Sequence, residues 1–210
     1  MNNLWIITAC SRPFNLGNIR NSIVTGCINA CLTDLRVHWL IVLDAAQAHY
    51  GERVVAEVEA ANDALNALRA SILINTDRRG VAGHQHRNHA LEFIPSAPGH
   101  MVCHVDDDNF VHPQFLPRIA DLIRANPGHG FVYPQQYING APRLGASRES
   151  CGPCGIDTAM MTCPRSFYDG LQWNWGNYCA DGEIYQKIHE RHRDRLIFLD
   201  ECLCYYNALA

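Results

Sequence analysis

No apolar run in this 210-residue chain approaches the roughly 20 residues that a membrane helix needs. The opening stretch MNNLWIITACSRP has neither the basic leader nor the long apolar segment of a secretory signal. The expectation is a soluble, cytoplasmic protein without a transmembrane segment. Positive charge is not in excess either, since 17 Lys and Arg stand against 21 Asp and Glu for a net −4. That balance excludes a general binder of nucleic acid or anionic membranes, so a polyanionic ligand must be met by a few placed groups. Internal repeats and low-complexity tracts are missing too. What remains is a chain with 48% hydrophobic residues, enough for one sizeable core or two lobes sharing one sheet.

Cysteine is the exception to this sparseness, with ten in the chain. Most sit in apolar runs such as HMVCHV, MMTCP and DECLCYY, where a free thiol reads as a small buried hydrophobe. Cys151-Gly152-Pro153-Cys154 spells the dithiol motif of thioredoxin-like oxidoreductases. Such a site needs its first cysteine at a helix N-terminus, where the dipole lowers the thiol pKa. Here a polar loop, APRLGASRES, precedes the motif, and IDTAMMTC, which reads as a strand, follows it. A zinc site would need a second CxxC, which is missing. Cys202-x-Cys204 has the wrong spacing, and strand alternation would turn both thiols to one face. The motif cysteines are expected to be free or joined in an incidental disulfide.

Strands and helices alternate through the first half. LWIITA (4–9) and VHWLIVLD (37–44) read as strands, and Ile19, Ile23, Val24, Cys27 and Cys31 recur between them at helical spacing. A helix over roughly 51–69, a strand SILIN (71–75), and a helix from Gly83 to Ile94 stopped by Pro95 follow. HMVCHV (100–105) is a fourth strand that runs into three aspartates. This alternation predicts an α/β fold with a mostly parallel sheet flanked by helices. Ligands of such sheets sit at the carboxyl ends of the strands, where Thr8 with the Ser11-Arg12 turn, Asp44, Asn75 to Arg79, and Asp106–Asp108 all fall. After Asn109 the pattern changes. HPQFLPRIADLIRANP reads as a helix with Pro113 near its first turn, FVYPQQYI as a strand, and 139–155 as a Gly/Pro/Ser-rich loop. DGEIYQKIHERH then reads as a helix and RLIFLDECLCYY as a final strand.

Three consecutive carboxylates at a strand end repel one another, so the site must supply something cationic. A divalent metal with oxygen ligands does so, and Mg²⁺ or Mn²⁺ commonly shares its sphere with substrate phosphates. HVDDDNFVHPQFL resembles the metal-binding segment of GT-A fold glycosyltransferases, with the closest fit to the inverting glucuronyltransferase-type enzymes. IITACSRPF, VHWLIVLDA and RRGVAGHQHRNHALEFI resemble that family's opening strand and turn, second strand and arginine-bearing helix. The matches come in the family's order and cover roughly residues 4–118.

The resemblance implies a single GT-A (Rossmann-like) domain over 1–210, with a nucleotide-sugar-binding half (1–108) and an acceptor-binding half (109–210). It implies transfer of a sugar, with inversion, from a UDP-sugar to a carbohydrate or other hydroxyl acceptor, using Mn²⁺ or Mg²⁺. Carried onto this chain, Thr8 and Arg12 edge the nucleotide, Asp44 bonds the uracil base, and Arg79 and Arg87 lie near the diphosphate and donor sugar. Asp106 and Asp107 contact ribose, sugar or water, and Asp108 is the direct metal ligand, with Asp106 beside it. Inversion also needs a general base at the acceptor hydroxyl. In NYCADGEIYQKI, Glu183 matches the family's acidic residue best, with Asp181 as the alternative or as a plain N-cap. Trp173, Trp175 and Tyr178 are either sugar-stacking rings or core.

The C-terminal CYYNALA departs from the family, which often has a histidine there. Either another group such as His84 or His86 substitutes, or the chain stops before a completing segment. Three rivals stay open. A nucleotidyltransferase would carry a Gly-rich phosphate loop, and ACSRPFNLGN is not one. A non-catalytic sugar-nucleotide binder would bind without turnover. A thiol-disulfide oxidoreductase would act through Cys151 and Cys154.

Overall fold

A computed structural model describes residues 1–30, 35–62, 68–75 and 83–206. Strand β1 (Asn2–Ala9), helix α1 (Leu16–Ala30), β2 (Leu35–Leu43), α2 (Ala48–Asn62), β3 (Leu68–Ile74), α3 (His84–Phe93) and β4 (His100–His104) follow in alternation. All four strands run parallel, in the order β4-β1-β2-β3. The run from Trp39 to Leu43 is buried without a break, as a parallel strand covered on both faces requires.

The second half continues with β5 (Phe110–Val111), α4 (Phe115–Ala125), β6 (Gly130–Val132), β7 (Gln135–Tyr137), β8 (Pro142–Leu144), β9 (Met161–Pro164), α5 (Ala180–His192), β10 (Leu196–Phe198) and β11 (Cys204–Tyr206). It extends the main sheet: β9 inserts antiparallel between β4 and β6, and β10 pairs parallel with β6. The seven strands run β10-β6-β9-β4-β1-β2-β3, and a second sheet runs β5-β11-β7-β8. Helix α4 buries Phe115, Leu116, Ile119, Ala120, Leu122 and Ile123, a stripe of helical period. Pro117 lies in its first turn, where no intrahelical donor is lost. Among the described residues no helix is long and apolar enough to cross a membrane.

Several boundaries differ from expectation. The stretch FVYPQQYI is two strands, because Pro134 has no N–H to donate to a ladder; β6 stays in the main sheet and β7 crosses to the second. RLIFLDECLCYY divides likewise into β10 and β11, one in each sheet. IDTAMMTC opens as a 3-10 turn (Thr158–Met160), since the Asp157 carboxylate accepts the Ala159 N–H at 3.1 Å and caps it. Helix α2 begins at 48 rather than 51, the expected 63–67 portion lies outside the described residues, and β3 begins at 68 rather than 71.

The ladder registers fix the functional edge. Ile7 is level with His104, Ala9 with Val42, and Leu43 with Ile74. The segments that follow, Ser11-Arg12, Asp44, Asn75 and Asp106–Asp108, therefore leave the sheet on the same side. Thr8 is the exception among the expected site residues. It is 0% exposed, and its hydroxyl accepts the Trp39 indole N–H at 2.9 Å. Its role is to satisfy a buried donor, and it does not reach the edge. Replacing Thr8 with Val should leave that N–H unpaired and cost about 1–3 kcal/mol. Urea unfolding would read this as a lower midpoint at unchanged slope.

Candidate active site

The carboxyl edge of the sheet opens into a cleft of about 660 Å³, lined from both halves of the chain by Ser11, Arg12, Arg87, Asp106–Asp108, Arg143, Asp157, Thr158, Tyr178 and Asp181 among others. Its floor is set by how β1 and β4 end. Asp107 turns back into the protein, and one carboxylate oxygen accepts from the Ser11 and Arg12 amides and, at 2.9 Å, from the Ser11 hydroxyl. Asn15 donates to the Asp107 carbonyl at 2.8 Å. The Arg12 guanidinium then bridges Asp107 at 3.4 Å and Asp108 at 2.6 Å. The side chain of Asp107 is 7% exposed, against 17% for Asp108 and 23% for Asp106. Of the three consecutive aspartates, the first and third are therefore the ones more open to a ligand.

Asp106 meets Arg87, which α3 delivers from the opposite wall. Gly83 caps that helix with φ 71°, and a Cβ there would sit 2.7 Å from the Ala9 Cβ, so the missing side chain lets α3 start against β1. Arg87 is 2% exposed and donates to Asp106 and, at 3.3 Å, to His84 Nδ1. Burial pushes the Asp106 carboxyl up to about 7; Arg87 opposes the rise, while Asp157 and Asp181 add to it. Burial and Arg87 pull His84 below its ordinary value, against the pull of Asp181, whose Oδ1 lies 3.8 Å from His84 Nδ1. Asp44 ends β2 near the third residue of α3, His86. Burial lowers the His86 imidazole pKa, and the Asp44 carboxylate opposes that shift. Arg79 lies outside the described residues.

Asp181 and Glu183 part company here. Asp181 lines the cleft; Glu183 does not, and accepts a bond from Asn177 instead. Both oxygens of Asp181 are held: the Trp173 indole N–H donates to one and the Thr158 hydroxyl to the other, each at 2.8 Å. Tyr185 steadies Thr158 in turn, its hydroxyl donating to the Thr158 carbonyl at 2.8 Å. Asn88 of α3 trades two bonds with the Trp173 backbone, at 3.0 and 2.8 Å. The three expected aromatics thus separate. Trp173 is core and orients Asp181, Tyr178 is exposed on the cleft, and Trp175 is exposed but not among the cleft residues.

Arg143 lines the cleft with no signal in the sequence. It lies in a Gly/Pro-rich stretch, and only the fold brings it 3.5 Å over the Tyr206 ring and 3.1 Å from Asp157 Oδ2. The CGPC segment forms a turn and opens no helix. Cys151 is buried with its sulfur 3.8 Å from the Ser147 carbonyl, whereas Cys154 is exposed at φ 63°.

With this geometry in hand, comparison with known proteins is informative at the level of fold. No family model matches the chain, and no curated protein matches it. Solved structures do. S. aureus TarS 1-349 in complex with UDP superposes with a TM-score of 0.67 at 16% identity, over 98% of this chain and 60% of that one. The same protein in complex with UDP-GlcNAc gives 0.66 at 16% identity, over 98% and 58%. The mannosyltransferase PcManGT from Pyrobaculum calidifontis, in complex with GDP-Man and Mn²⁺, gives 0.62 at 15% identity, over 98% and 56%. The fold is that of GT-A glycosyltransferases. The chain spans well under two thirds of each of these neighbours.

Burial pushes the Cys151 thiol up to about 11, with Glu149 adding to the rise. The thiolate therefore appears only as pH climbs towards that value. Alkylation of Cys151, followed peptide by peptide, should accelerate about tenfold per pH unit from 7 to 10 without levelling. A plateau reached by pH 8 would contradict this and restore a thioredoxin-type site.

Proposed function

We propose that this chain is a metal-dependent, inverting glycosyltransferase that moves a sugar from a UDP-linked donor to the hydroxyl of a carbohydrate or other acceptor. The observation that carries the proposal is the meeting, in one cleft, of the Asp106–Asp108 strand end, the Ser11-Arg12 turn and the held carboxylate of Asp181. Support comes from neighbours of the same fold whose structures contain UDP, UDP-GlcNAc, or GDP-Man with Mn²⁺. Residues 1–108 supply the donor wall and 109–210 the acceptor wall of one GT-A domain.

Mn²⁺ or Mg²⁺ suits the donor set, which offers hard carboxylate oxygens from Asp108 and Asp106 at the more open positions. Among the described residues no three His, Cys, Asp or Glu side chains group around a point. A bound diphosphate would have to complete the coordination of any such cation. Such an ion, when bound, neutralises charge on the departing diphosphate.

The chain's own residues do the rest. The Asp107 clamp fixes the Ser11-Arg12 turn and presents the Arg12 guanidinium beside Asp108, in reach of phosphate oxygens. Arg87 holds Asp106 and offsets its charge. Asp44, which is not among the residues lining the cleft, is assigned to the uracil base and Arg79 to the diphosphate by sequence match alone. Asp181 takes the acceptor proton as the oxygen attacks the anomeric carbon. Trp173 and Thr158 each occupy one of its oxygens and leave one lone pair on each for that proton. Glu183, the other base candidate, stands behind it on Asn177.

Calorimetric titration of UDP should give heat only with Mn²⁺ present and Asp108 intact, and Asp108→Ala should abolish it. No heat for the wild-type protein in either condition would overturn the donor site. Asp181→Asn should keep UDP binding and lower turnover about 10²–10⁴-fold, whereas Glu183→Gln should change it less than tenfold. The reverse ranking would move the base to Glu183. UDP binding without turnover of any sugar donor would favour a non-catalytic binder.

A further inference from the structure

The CGPC motif has no part in the proposed transfer, yet one of its thiols is not alone. Cys154 Sγ lies 3.1 Å from Cys179 Sγ, a residue 25 positions later in the chain, and both line the cleft. The approach is built by packing on either side of the pair. Gly182, in the first turn of α5, has no Cβ, and one placed there would collide with the Gly152 carbonyl and the Pro153 Cα. The 152–154 turn therefore rests directly on the start of the helix. Cys154 ends that turn in the left-handed region, and Cys179 is the N-cap of the helix, its own N–H bonded to Asn177 at 3.0 Å. Cys151 points elsewhere, buried towards Ser147.

We propose that Cys154 and Cys179 are a reversible disulfide-forming pair, oxidised by a low-molecular-weight disulfide of the glutathione class, and that the motif's own Cys151–Cys154 bond does not form. The exposed Cys154 thiol loses its proton, and the thiolate attacks one sulfur of the added disulfide, expelling a thiolate. Cys179, deprotonated in turn, attacks the Cys154 sulfur of the mixed disulfide and expels the second thiolate. Two protein thiols become one disulfide, and two electrons reduce the added disulfide to two thiols. The protons lost by the cysteines end on the thiols released. Only about 1 Å of sulfur movement separates the present contact from a bond, which spans about 2.0 Å. The product would staple the 149–157 loop to the N-terminus of α5, two residues before Asp181. The pairing rests on packing alone and does not depend on the transferase reading.

The test is to treat the whole reduced protein with oxidised glutathione, block the remaining thiols by alkylation, and map the linked peptides by fragmentation mass spectrometry. The expected result is a Cys154–Cys179 linkage with Cys151 free, reversed by dithiothreitol. Cys151→Ser should keep the linkage, and Cys154→Ser and Cys179→Ser should each abolish it. A second reading uses thermal unfolding, in which the oxidised wild-type protein melts higher than the reduced one and Cys154→Ser shows no such difference. A Cys151–Cys154 linkage, or full alkylation of Cys154 and Cys179 after oxidation, would overturn the proposal. Because the wild-type map decides, a variant that fails to fold does not obscure the answer.

Discussion

The cleft depends on one buried carboxylate. Asp107 gathers the amides of Ser11 and Arg12 and the Ser11 hydroxyl onto a single oxygen, so that the end of β1 is tied to the end of β4. Hydrogen bonds to a charged group contribute roughly 1.5–3 kcal/mol each, and these replace the water that a buried carboxylate would otherwise lose. Without the clamp, three adjacent aspartates at a strand end would splay apart under their own repulsion. With it, the middle one is turned inwards and its two neighbours stay more open to the cleft. Arg12 adds a cation beside Asp108 from the same turn.

A second polar relay backs the opposite wall. Arg87, His84 and Asp181 lie in sequence from Asp106 across the floor, at 3.3 Å and 3.8 Å for the last two steps. Trp173, Thr158 and Tyr185 complete the shell around Asp181. The Arg87 guanidinium can be buried because the Asp106 carboxylate partners its charge and His84 accepts from it on the other side. Asp106 thus shares one electrostatic environment with Asp181, which adds to the rise that burial imposes on the Asp106 carboxyl.

Much of the fold, and the strand ends that border the candidate site, could be read from the amino acids. Continuous apolar runs marked β1, β2 and β4, and polar residues at their carboxyl ends marked the edge, because parallel strands bury both faces and release the chain at one side. Thr8 was misplaced by one step of that logic, since it lies before the strand end and faces a buried Trp39. Family match put Glu183 ahead of Asp181, yet Asp181 is the one that lines the cleft, for a different reason. Positions i and i+2 of a helix are about 200° apart, and only the helix's docking decides which one faces the cleft. Arg143 and the Cys154–Cys179 contact left no pattern at all, because a short strand in one case and a turn against a helix start in the other meet their partners only through tertiary packing. The two strands that cross between sheets were read as single strands, since apolar content continues through Pro134 and past Asp200.

The exchange between Asn88 and the Trp173 backbone has a mechanical meaning. An amide side chain there stands in for one rung of a β-ladder, giving and receiving one bond each way. It couples a helix to an irregular loop that no strand supports. A tilt of α3 would drag Trp173 with it, and Trp173 in turn would rotate the carboxylate it holds. If the transfer proposed above is right, the helix that carries Arg87 and the loop that holds the Asp181 carboxylate would answer to the same pair of bonds.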